Sequence, residues 1–192
     1  MRARLIVLGT TALLLAACGQ GGEGNNAVAN GGAEGSNAAA PAAGNLAAVL
    51  GTDPRFTALV AAAGMTPVFE GKTPYTVLAP TSQALDALPA GTLERLQQPA
   101  GKAELTGLLR RHVLPGTILA ADLTRAVESG GGKATLASMA GDPLTVTRSG
   151  NGLKIADSSG KGAMIVGGER IASNGVVHTI DAVLPAPAQA AP

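Results

Sequence analysis

The stretch whose reading decides the fold is NGVVHTIDAVLP, residues 174–185. Val176, Val177, Thr179, Ile180 and Val183 are β-branched, and such side chains favour a pleated strand over a helix. In a strand, alternate side chains share a face. Val176, His178, Ile180 and Leu184 then lie on one side, and Val177, Thr179, Asp181 and Val183 on the other. On a helix, His178 and Asp181 would be neighbours and could form a catalytic dyad. On a strand they point opposite ways. His178 then reads as a buried ring hydrogen-bonded to backbone or other polar groups, and Asp181 as a separate acid.

Upstream of this stretch the period is that of short strands. KATLASM, DPLTVTRSG, NGLKIAD and GAMIVGGER are β-rich runs separated by Gly, Asn, Asp and Ser, and SGNG at 149–152 is a hairpin signal. The first half reads differently. NLAAVLGTDPRFTALVAAAG holds two short helices broken at Gly51–Pro54, with Asp53 in N-cap position and Pro54 as first helical residue. TPYTVLAP is a short strand ended by Pro80, and TSQALDAL restarts a helix behind a Thr81 or Ser82 cap. GTLERLQQ is another short helix. In GKAELTGLLRRHVLPG, Leu105, Leu108, Leu109, His112 and Val113 recur at helical spacing until Pro115–Gly116. Helices first and antiparallel strands later, on one core, make an α+β domain over residues 45–185.

The ends are of another kind. MRARLIVLGTTALLLAAC places Arg2 and Arg4 before an apolar run from Leu5 to Ala17, the pattern of an export signal over residues 1–17. That run is too short for a bilayer core of ~30 Å. LLLAAC resembles the lipobox of bacterial lipoproteins, which implies that Cys18 is acylated and becomes the new N-terminus. Gly19 follows where lipoproteins kept in the inner membrane typically carry Asp, so the resemblance implies an outer-membrane destination. Residues 18–44 are the acylated cysteine and a Gly/Ala/Asn tether, expected to be disordered because it has too little apolar surface to offset its ordering entropy. Its ends would average ~28 Å apart as a flexible coil. Residues 186–192 read as a loose low-complexity tail.

Composition narrows the functions. Only 14% of residues are charged against 46% hydrophobic, so the chain can build a core. Without residues 1–17 the basic and acidic residues number 12 and 13, a balance that gives no expectation of nucleic-acid binding or electrostatic capture. Phe56, Phe69 and Tyr75 are the aromatic residues, which argues against stacking on sugars or bases. Cys18 is the sole cysteine. With His112 and His178 as the histidines, no metal-ligand cluster is expected, and no cofactor. Nucleophile elbows, phosphate-binding loops and paired-carboxylate motifs are absent, and GGG at 130–132 reads as a plain loop. Asp122 and Asp142 read as turn or cap residues.

Three blocks in order carry a family resemblance: YTVLAPTSQAL (75–85), LLRRHVLPGTILAADL (108–123) and NGVVHTIDAVLP (174–185). Together they resemble the fasciclin (FAS1) domain family, across nearly the whole of residues 45–185. The resemblance implies two small β-sheets set at an angle with several helices packed around them. It implies that Thr76, Pro80, Thr81, His112, Pro115, Gly116, Asn174, Gly175, His178 and Asp181 are structural motif residues. It implies adhesion-type roles and no catalytic activity. Family members commonly have Tyr before the central histidine, where this chain has Arg111. The expected function is a non-enzymatic, lipid-anchored module contacting an envelope or extracellular protein. An envelope binding protein for a small apolar ligand or glycan is the alternative, and a hydrolase is a weaker third.

Overall fold

A computed structural model describes residues 44–185; the expected signal segment, Cys18, the tether and the tail lie outside the described residues. Five α-helices precede α6: α1 (Leu46–Leu50), α2 (Pro54–Ala63), α3 (Thr66–Glu70), α4 (Ser82–Asp86) and α5 (Thr92–Gln97). Helix α6 spans Lys102–Arg111 and α7 spans Ala120–Ser129. Strands β1 (Tyr75–Pro80), β2 (Val113–Pro115), β7 (Arg170–Ala172) and β8 (Gly175–Ile180) form one sheet, in the order β2-β1-β8-β7. Strands β3 (Lys133–Ala137), β4 (Pro143–Ser149), β5 (Gly152–Ala156) and β6 (Gly162–Met164) form the other, in sequence order. The domain is α+β, with two small sheets.

The first sheet is the middle layer and is buried on both faces. One face meets the helices: Val77, Ala79, Val113 and Val177 pack with Phe56, Phe69, Leu105 and Leu109. The other face meets the second sheet and α7: Leu78, Leu114 and Ile180 pack with Leu144, Val146, Ile155, Leu123 and Val127. Val77 and Leu78, adjacent in the chain, thus feed different cores, as strand alternation requires. Burial on both sides explains why β8 reads as a nearly continuous apolar run. At about 25 cal/mol per Å² of apolar area removed from water, these two clusters are the main stabilising contribution.

The structure bears out some of these expectations and corrects others. β1 and β8 are parallel, in register from Tyr75↔Gly175 to Pro80↔Ile180, so the strands are not all antiparallel. The chain's first strand thereby lies against its last. Val113 belongs to β2, because the helix stops at Arg111 and His112 is its C-cap. Leu109 is buried on α6, as its spacing requires, whereas Leu108 is only half-buried. Asp53 precedes α2 but makes no capping bond; its carboxylate pairs with Arg170 instead. The hairpin at SGNG forms between β4 and β5, with Ser149 opposite Gly152 and Gly150 at φ 58°. Thr81 caps α4 by accepting the Ala84 N–H at 3.1 Å.

Candidate functional site

The motif residues meet where β1, β8 and the end of α6 come together. Thr76, fully buried on β1, donates its hydroxyl to the Gly116 carbonyl at 2.8 Å and accepts the Ile118 N–H at 2.9 Å. His178 on β8 places Nε2 at 2.8 Å from the Ile118 carbonyl. A carbonyl only accepts, so Nε2 carries the proton and Nδ1 presents a lone pair. That Nδ1 is buried and has no hydrogen-bond partner. Burial holds the His178 pKa below its ordinary value, with the Ile118 carbonyl and Glu169 opposing in part. Gly116 turns the chain at φ 88°, and its N–H donates to the Pro74 carbonyl at 2.9 Å. Pro115, exposed at the end of β2, sits opposite Tyr75.

His112 is fully buried and both ring nitrogens are occupied. Nδ1–H donates to the Leu108 carbonyl at 2.8 Å, and Nε2 accepts the Leu184 N–H at 3.0 Å. Desolvation lowers its pKa from 6.5 to about 4, helped by the neighbouring Arg111 charge and opposed by the Leu108 carbonyl. Arg111, beside it, is 4% exposed. Its guanidinium pairs with Asp142 at 3.0 Å and also donates to the Pro185 carbonyl. Asp142 is therefore more than the turn residue its sequence context implies. The end of α6 grips residues 184–185 through two adjacent side chains.

Asn174 and Asp181 bracket β8. Asn174 accepts the Leu46 N–H at 2.7 Å and donates to the Phe69 and Gly71 carbonyls at 2.9 and 2.6 Å. One amide thus joins α1, the end of α3 and β8. Gly175, at φ 153°, leaves no room for a side chain: a Cβ would stand 2.0 Å from the Tyr75 carbonyl oxygen. Asp181 is exposed and accepts the Met164 N–H at 2.7 Å, which ties the end of β8 to β6 of the other sheet. His178 and Asp181 thus reach for different segments. Pro80 closes β1, and the Thr81 N–H continues the pairing to the Ile180 carbonyl at 2.9 Å.

Asp122 is the third residue of α7; it accepts the Leu119 N–H at 3.3 Å and so caps that helix. Among the described residues no group of three His, Cys, Asp or Glu could hold a metal ion, and no helix is long and apolar enough to cross a membrane. A groove of about 260 Å³ runs between α2, α4 and α5, lined by Leu59, Leu85 and Leu93 and bordered by the Arg55–Asp86 ion pair. That is below the ~300–1,000 Å³ of ordinary small-molecule pockets.

Sequence reasoning missed the Arg111 clamp, since an arginine at a helix end reads as a surface cation. Its neighbour Asp142, 31 residues on, carries no local signal of the pairing. It also missed the partners Ile118, Met164 and Leu184, which act through backbone groups that residue type does not mark.

Comparison with known proteins gives the family. The fasciclin domain family model matches residues 54–187. "Protein sll1483" of Synechocystis is 38% identical over 154 residues, covering 78% of this chain and 77% of that protein. The transforming growth factor-beta-induced protein ig-h3 of Sus scrofa is 36% identical over 151 residues, 77% of this chain but only 20% of its own length. The immunogenic protein MPB70 of Mycobacterium bovis is 34% identical over 114 residues, 59% of this chain and 51% of that protein. A solved FAS1 domain pair from the insect cell adhesion molecule fasciclin I aligns with a TM-score of 0.48 at 17% identity, over 73% of this chain and 44% of that one. With a family match over most of the described residues and a relative of similar length, this chain belongs to the fasciclin domain family.

Proposed function

We propose that this protein is a non-enzymatic FAS1 module, exported and held at the bacterial cell envelope by acyl chains on Cys18, where it makes adhesion-type contacts with an envelope or extracellular protein. The outer membrane is the proposed anchoring site, from Gly19 after the lipobox-like LLLAAC. Family membership supports the functional class, since fasciclin domains are generally non-enzymatic adhesion modules. One structural observation carries it to these residues. Five polar side chains of the three motifs, Thr76, His112, Asn174, His178 and Asp181, bond backbone groups of this same domain. They hold the fold and leave the outer surface to make contacts.

Two measurements test the proposal. Cys18→Ser should abolish acylation and release the domain into soluble fractions; continued partition with membranes, equal to wild type, removes the anchor. The mature protein recovered from intact envelopes by in-cell cross-linking should carry one dominant protein partner. A co-purifying small ligand without such a partner would instead favour the groove beside Leu85 and Leu93.

A further inference from the structure

The near-neutral net charge conceals an uneven surface. Every ion pair among the described residues is made by an arginine: Arg55, Arg95, Arg111, Arg125, Arg148 and Arg170. The lysines take no part in these pairs. Two of them share one face. In the β3-β4-β5-β6 sheet, Leu144, Val146, Leu153, Ile155 and Ala163 point into the core. The alternate positions point outward, and one register row across the strands reads Lys133, Thr147, Lys154, Met164. The next row reads Thr135, Thr145, Ala156, Gly162. No outward position of these four strands is Asp or Glu. Lys133 and Lys154 stand two strand spacings apart, ~10 Å. Lys161, in the β5–β6 turn, is exposed and adds a third cation at the edge of the sheet, beside Asp157.

We propose that this outward face, centred on the Lys133–Thr147–Lys154 row, is the face the tethered domain turns toward anionic phospholipid headgroups. The proposal rests on the lipid anchor at Cys18. A tether of about 26 residues reaches up to roughly 90 Å when extended, against a domain radius of gyration of ~15 Å, so any face can meet the bilayer. The anchor therefore supplies proximity, and charge selects the orientation. A lysine near an anionic leaflet gains a factor of roughly 5, so the pair biases orientation by roughly 30-fold. The outward strand positions carry no carboxylate; Asp181, which accepts the Met164 N–H, and Asp157, beside Lys161, border the face on its β6 side, so headgroup phosphates approach most closely over Lys133, Thr147 and Lys154.

The test uses the acylated, full-length mature protein in vesicles of phosphatidylcholine, with and without phosphatidylglycerol. Acetylation rates of the individual lysines are read by mass spectrometry. On anionic vesicles Lys133 and Lys154 should be labelled roughly 5-fold more slowly than on neutral ones, while Lys72 and Lys102 should be unchanged. Salt near 1 M, where screening acts within ~3 Å, should remove the protection. Flotation with the vesicles but uniform labelling of all lysines overturns the orientation while leaving the anchor standing. Failure to float with either vesicle overturns the anchor and the orientation with it. Protection found in whole envelopes but absent on purified lipid also overturns the proposal, in favour of another envelope polyanion.

Discussion

Thr76 and His178, on parallel neighbouring strands, hold the two ends of one residue: Thr76 accepts the Ile118 N–H at 2.9 Å and His178 donates to the Ile118 carbonyl at 2.8 Å. The segment they grip carries the chain from β2 out to α7. Thr76→Val keeps the shape and removes the hydroxyl, leaving the Gly116 carbonyl and Ile118 N–H without their partner. The expected loss is ~1–3 kcal/mol in denaturant unfolding. Because both side chains act on the same segment, the double change with His178→Ala should be non-additive by at least ~0.5 kcal/mol. Strict additivity would mean the two contacts do not act on one unit.

His178 and Asp181 should behave in the opposite way. One bonds Ile118 and the other Met164. His178→Ala leaves a buried void and an unpaired carbonyl, costing ~1–3 kcal/mol. Asp181→Ala removes one bond at an exposed position, costing about 1 kcal/mol. The two losses should add to within ~0.5 kcal/mol. Parallel loss of partner binding with unchanged stability would instead point to a functional pair.

The contrast between these pairs marks how far residue pattern reached. Alternation in residues 174–185 separated His178 from Asp181, because the side-chain period of a strand is a local property. Gly, Pro and cap residues likewise placed the breaks at Gly51–Pro54 and at Thr81. What pattern could not carry was pairing across distance. Nothing near Tyr75 says that its neighbour is Gly175, about 100 residues on and parallel. Helix α7 also escaped notice: its apolar stripe is Leu123 and Val127, amid polar residues that suit a loop equally well. The Arg111–Asp142 pair escaped for the same reason as the parallel strands.

Glycine at 175 is required by space, and at 116 only by backbone conformation. A Cβ on Gly175 would meet the Tyr75 oxygen at 2.0 Å and Leu46 Cδ1 at 2.8 Å, inside the central β1–β8 pairing. Gly175→Ala should cost about 3 kcal/mol or more, since backbone or strand must move. Gly116 has φ 88°, and a methyl added there would meet nothing within 4 Å, so Gly116→Ala should cost only the ~1–2 kcal/mol of a left-handed residue. Thermal unfolding of both variants checks the order; equal losses would remove the steric argument at Gly175.

His112 makes stability depend on pH. Protonating Nε2 would set a ring N–H against the Leu184 N–H it now accepts, at a fully buried position where the charge is desolvated. The folded pKa is therefore about 4, against 6.5 for the free ring. Between these values the unfolded chain binds more protons than the folded one, so stability falls as pH falls. The contribution is intact above about pH 6.5, and its full loss by about pH 4 amounts to ~3 kcal/mol. From about pH 7.5 to 5.5 this ring alone should remove about 1.3 kcal/mol, and His178 adds to the slope with the same sign. The lowered carboxyls of Glu104 and Asp157 titrate below that window and do not mask it. His112→Gln keeps an acceptor and removes the titration. It should be less stable than wild type at about pH 7.5 yet lose roughly 1 kcal/mol less on going to about pH 5.5. Urea unfolding of both proteins at the two pH values decides it: parallel losses would show that His112 does not set the acid sensitivity of the fold.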